Sequence, residues 1–102
     1  MLDVAPEHLR LVQRTLAERV PAREVRAFGS RVRGRAKPAS DLDLVVMGDE
    51  HIPDLIQAEL RADFDDSDLP FRVDILAWGD APPGLREVIA REGVEIQAAG
   101  AG

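Results

Sequence analysis

The chain contains no cysteine and no tyrosine. Without cysteine there is no disulfide framework, no thiolate zinc site and no cysteine nucleophile. Without tyrosine, no phenolic oxygen of the chain itself can be modified. Aromatic side chains are few, three phenylalanines and one tryptophan, which leaves little for stacking on a base. No apolar run approaches the ~20 residues of a membrane span, and no basic-then-apolar leader opens the chain. Internal repeats, low-complexity linkers and domain boundaries are also missing. These absences make a cytoplasmic protein that engages no membrane the expectation.

What is present is an ordinary globular balance. Over 102 residues, 45% are hydrophobic and 31% charged, enough for one domain burying roughly two thirds of its unfolded surface without staples. The net charge of −6 argues against direct nucleic-acid binding, but the average conceals a split. Arg23, Arg26, Arg31, Arg33, Arg35 and Lys37 stand against Glu24 alone, while residues 49–68 are strongly acidic. A compact basic stretch within an acidic chain points to a local anion site rather than a broad nucleic-acid face.

Periodicity outlines the elements. Leu9, Val12, Leu16 and Val20 form one helical stripe that starts near Pro6 and stops at Pro21. Val25 to Phe28 reads as a short strand, and residues 30–36 as a brief helix with Ser30 as its N-cap. Asp41 to Met47 is the clearest strand, with Leu42, Leu44 and Val46 on one face. A helix follows from Pro53, carrying Leu55/Ile56, Leu60 and Phe64. Phe71 to Trp78 is a third strand; Pro82-Pro83 opens a last helix that Gly93 ends, and Val94 with Ile96 adds a closing strand. The expected class is α/β (α+β), a small mixed sheet of three to four strands flanked by helices. The domain spans residues 1–97, with 98–102 as a flexible tail of small residues.

Three aspartates interrupt apolar strands. Asp41 and Asp43 are two apart, so in an extended chain both carboxylates leave from one face, and Asp74 interrupts the next strand in the same way. If those strands are neighbours, three like charges converge, an arrangement that makes sense only with cations between them. Carboxylate oxygens without histidine or cysteine suit Mg²⁺ or Mn²⁺. Upstream, Gly29-Ser30 stands at a strand end, where glycine lets backbone approach a ligand and free N–H groups face an anion. Arg31, Arg33 and Arg35 can neutralise phosphate or simply form a solvated face. A phosphate cradle beside a carboxylate cluster describes a nucleoside triphosphate site.

Gly29-Ser30, ten residues, then Asp41-Leu42-Asp43 resembles the signature of the DNA polymerase β-like nucleotidyltransferase superfamily. The wider segment Phe28-Gly29-Ser30-Arg31-Val32-Arg33-Gly34, with Ser40-Asp41-Leu42-Asp43-Leu44 and Val73-Asp74-Ile75-Leu76, is similar to its minimal nucleotidyltransferase branch over essentially the whole chain. The resemblance implies that Asp41, Asp43 and Asp74 are catalytic and hold two Mg²⁺ (or Mn²⁺), and that Gly29 and Ser30, aided by Arg31 and Arg33, hold the phosphates of ATP. One ion clamps the triphosphate and the other activates the acceptor hydroxyl, with Asp74 assisting its deprotonation.

The same resemblance implies a partner. Minimal members are commonly encoded beside a HEPN-domain ribonuclease toxin, which they silence as antitoxin by transferring AMP from ATP onto a tyrosine; a hetero-oligomer is then expected. The chain shows no acceptor-binding domain of its own, in keeping with an acceptor supplied by a partner. Two alternatives stay open, a non-catalytic subunit that neutralises its HEPN partner by masking and a nucleotidyltransferase acting on a small molecule of the aminoglycoside type. His8 and His51 lie outside the motif, and Trp78 reads as core or rim packing.

Overall fold

Which face of each strand meets the core is decided by alternation. In β2 (Leu42–Val46), Leu42, Leu44 and Val46 are buried on one side and Val45 on the other. The structure, a computed structural model, describes residues 2–100. Around β2 stand β1 (Val25–Phe28), β3 (Val73–Ala77) and β4 (Val94–Gln97), in the order β3-β2-β1-β4. β2 runs antiparallel to β1 and parallel to β3, and β4 is antiparallel to β1. The sheet is therefore mixed, as the spacing of the elements predicts.

Helices α1 (Pro6–Arg19) and α2 (Asp54–Asp65) cover one face. Their buried residues Val12, Leu16, Leu60 and Phe64 join Val25, Leu44, Ile75 and Ile96 in one hydrophobic cluster. Proline at the first helical position starts α1, and Pro53 immediately precedes α2. Between the two helices Arg19 pairs with Asp63 at 2.7 Å and with Glu59, and this holds the Asp63 carboxyl below its ordinary range. Helix α3 (Pro83–Glu92) covers the other face, where Ile89, Val45 and Ala81 are buried with Phe28, Leu76 and Leu85 packed against them.

Three local expectations change. Residues 30–36 form no helix: 30–34 are turns and 35–36 have no regular structure; the Ser30 carbonyl accepts N–H bonds from both Arg33 and Arg35, each 3.2 Å, and Gly34 takes a positive φ of 71°. Leu55 falls off the buried stripe of α2 and is 68% exposed. Gly93 ends α3 as anticipated, but in an extended conformation that leads straight into β4, and a Cβ there would press on the Ile89 carbonyl. Of the tail read over 98–102, Gly100 donates its N–H to the Ala22 carbonyl at 3.0 Å, while Ala101 and Gly102 lie outside the described residues.

The core assignment has a direct test. Leu44→Ala, at a fully buried position, should destabilise the fold by about 3 kcal/mol. Leu55→Ala, at the exposed position, should stay within about 0.5 kcal/mol of the parent in the same denaturant titration.

Candidate active site

The strand registers place one row of side chains across the sheet. Phe28 of β1 pairs with Asp43 of β2, and Asp43 pairs with Asp74 of β3. Alternation puts all three on the face that carries α3. Val45 and Leu76, two residues further along, pack with that helix, whereas Asp43 is only half-buried and Asp74 exposed. The carboxylates thus stand at the end of the sheet that α3 leaves open. Asp41 precedes β2 and is half-buried. It borders a depression of about 340 Å³ with Asp65, Phe71 and Arg72.

Asp43 is the electrostatic focus. Burial pushes its pKa up, and the negative charges of Asp74 and Asp41 push in the same direction. Among the described residues neither Asp43 nor Asp41 has an ion-pair partner. Asp74 does: its Oδ1 accepts from Arg72 Nη2 at 3.2 Å. As they stand, no three His, Cys, Asp or Glu side chains among the described residues are arranged to hold a metal ion. The chemistry of the donors nevertheless fits a hard divalent cation: neighbouring carboxylates, one of them raised in pKa by burial and then by its like-charged neighbours, with no nitrogen or sulfur ligand beside them.

Directly after Phe28 comes Gly29, at φ 85°. A Cβ built there would collide with Asp43 Oδ2, so the glycine turn lies against the carboxylate and only glycine permits the approach. Gly29 is therefore brought beside Asp43, Ser30 follows it directly in the turn, and the Gly29 carbonyl accepts the Val32 N–H at 3.1 Å.

The arginines divide. Arg31 is buried, at 5% exposure, and its guanidinium is given over to main-chain carbonyls, those of Ser40 and Asp3 at 2.9 Å, Pro38 at 3.0 Å and Lys37 at 3.5 Å. It also lies over the Phe71 ring, 4.1 Å from the centroid. Arg33 pairs with Glu92 at 2.9 Å, and with Arg35 it borders a separate depression of about 560 Å³. Among the described residues the cation paired with the carboxylate row is Arg72, on Asp74, a residue the sequence expectations did not include. Its signal was present in the sequence, since Arg72 lies two residues before Asp74 and so projects from the same strand face.

Residues 12–99 match the family described as polymerase β, nucleotidyltransferase. The chain is 44% identical over 96 residues, 94% of its own length and 84% of the relative's, to a probable protein adenylyltransferase MntA of Haemophilus influenzae. A solved structure of a candidate minimal nucleotidyltransferase is 37% identical and superposes with a TM-score of 0.65, covering 86% of this chain and 92% of that one. The crystal structure of a toxin–antitoxin with AMP-PNP superposes with a TM-score of 0.74 over 89% of this chain and 73% of that one; at 21% identity it shows likeness of fold alone.

The contact between the glycine turn and Asp43 can be tested without any ligand. Gly29→Ala forces a left-handed alanine and pushes on the carboxylate, and should lower stability by about 1–2 kcal/mol. Gly84→Ala, in open space on α3, should be neutral or slightly stabilising in the same urea titration.

Proposed function

The chain belongs to the polymerase β nucleotidyltransferase family, in its minimal branch, and on that premise we propose that it is a protein adenylyltransferase. It transfers AMP from ATP to a hydroxyl, that of a tyrosine, on a HEPN-domain ribonuclease toxin encoded nearby, and so acts as antitoxin. The observation that carries this reading is the register pairing of Asp43 with Asp74 beside the Gly29 turn. It is supported by the adenylyltransferase named at 44% identity and by the fold shared with a toxin–antitoxin crystallised with an ATP analogue. A relative that acts on protein favours a protein acceptor over a small molecule.

In this reading Gly29 and Ser30 hold the β- and γ-phosphates through their main-chain N–H groups and leave the α-phosphorus open. Asp41, Asp43 and Asp74 are the residues that would hold two Mg²⁺ or Mn²⁺ ions, which neutralise the triphosphate and acidify the acceptor hydroxyl. The hydroxyl oxygen bonds to the α-phosphorus as the bond to the bridging β-phosphate oxygen breaks. Pyrophosphate leaves, and the hydroxyl proton passes to the Asp74 carboxylate. Asp74 is exposed, where an incoming side chain can reach it. Arg72, beside it, supplies positive charge at the edge of the row. The reaction is mainly a matter of positioning and charge neutralisation. The single domain read over residues 1–97 supplies the catalytic half, and the partner completes a hetero-oligomer in the cytoplasm. None of the described helices is long and apolar enough to cross a membrane.

The test is the intact mass of the neighbouring protein after co-expression with this chain or with its Asp41→Asn/Asp43→Asn variant. The partner should gain whole AMP units with the parent, and the double variant should lose transfer by at least about a hundredfold, no less than loss of an outer-shell metal partner costs. A partner that stays unmodified yet co-purifies and stays inactive would replace transfer by masking.

A further inference from the structure

Arg31 is the only charged side chain among the described residues that is fully buried. A buried guanidinium ordinarily has a carboxylate beside it. Among the described residues no acidic side chain pairs with this one. Four carbonyl dipoles and one aromatic face take that place. Those partners belong to the chain segments that lead into the candidate site. Arg31 itself follows Gly29-Ser30. Ser40, Pro38 and Lys37 precede Asp41 and Asp43. Phe71 precedes β3, which carries Asp74. The fourth segment is the N-terminal stretch, tied by a reciprocal pair in which the Asp3 N–H donates to the Arg31 carbonyl at 2.7 Å while Arg31 Nη1 donates to the Asp3 carbonyl at 2.9 Å.

A side chain that donates to carbonyls on one loop, stacks on a second and follows a third fixes their separations. The β1–β2 and β2–β3 ladders already fix Gly29, Asp43 and Asp74 relative to one another, but Asp41 and the residues before it lie outside both ladders, in a stretch with no regular structure. We propose that Arg31 is a positioning residue: its fork anchors the 37–41 segment and the N-terminal stretch against the start of β3, holding Asp41 in place beside the sheet-borne carboxylates without touching the nucleotide. The inference rests on the nucleotide reading of that site only for its functional consequence.

Lysine is the discriminating replacement, because Arg31→Lys keeps the charge and loses the planar fork. Two measurements on the full chain separate the roles: amide hydrogen exchange by mass spectrometry, and affinity for Mg²⁺·ATP by calorimetry. Exchange over residues 37–42, where the Ser40 N–H bonds the Lys37 carbonyl and the Leu42 N–H the Arg72 carbonyl, should accelerate about tenfold while β1 and residues 43–46 keep their protection. Mg²⁺·ATP affinity should fall about tenfold, the scale of losing an outer-shell support. Lost affinity with unchanged exchange would make Arg31 a direct phosphate ligand and overturn the proposal, as would no change in either. Should Arg31→Lys fail to fold, Asp3→Pro deletes the Asp3 N–H donor to the Arg31 carbonyl, together with the Asp3 carboxylate and the free φ of residue 3, and leaves the arginine in place. It should accelerate exchange in the same segment, and unchanged protection there overturns the anchor. Parent protein that binds no nucleotide would overturn the reading of the site and not the anchoring, which exchange alone decides.

Discussion

Two carboxylates held side by side on adjacent parallel strands repel one another, and most of what is particular in this molecule surrounds that repulsion. Asp43 and Asp74 share a register position, and Asp43 bears the penalty of burial first and of its neighbours' charge second. A pair of like charges in a sheet is tolerable only where water or cations can reach it. Helix α3 meets this condition by covering Val45 and Leu76 and leaving the carboxylate end of the same face open. The opposite face is covered by α1 and α2. The main hydrophobic cluster lies on one side of the sheet and the candidate site at one end of the other.

That division explains why the polar row needs support of its own. Gly29 contributes by lacking a side chain, which lets the turn approach Asp43. Arg72 contributes charge at the exposed end, beside Asp74. Arg31 contributes geometry, with its donors facing carbonyls rather than acids. A nucleotidyltransferase asks little covalent chemistry of its side chains. Its effectiveness then depends on how rigidly its polar groups are held relative to each other, and here the strand ladders hold Asp43 and Asp74 while the buried arginine ties down the loop that precedes Asp41.

The regular elements were legible because their apolar spacings are unambiguous: the α1 stripe, the β2 alternation and the short β4 all lie where periodicity puts them. Asp41, Asp43 and Asp74 stood out because aspartate is depleted from apolar strands. Strand order was not legible, since pairing β4 with β1 rather than extending the sheet beyond β3 is decided by tertiary packing. The helix expected over 30–36 failed for a local reason, the doubled use of the Ser30 carbonyl and the positive φ at Gly34. Arg31 looked like its exposed neighbours Arg33 and Arg35 because charge in a sequence carries no information on burial. Only the loop's return past Phe71 separates it from them.

The most direct measurement follows the two ends of the triphosphate. Purified chain, Mg²⁺ and the proposed partner toxin would be incubated with ATP labelled on either the α- or the γ-phosphate. Adenylyl transfer at the Asp43–Asp74 row leaves the α label on the toxin and releases the γ label in pyrophosphate. A γ label on the toxin, or neither label there with this chain folded and bound to the toxin, would contradict the assignment of that row as the site of AMP transfer.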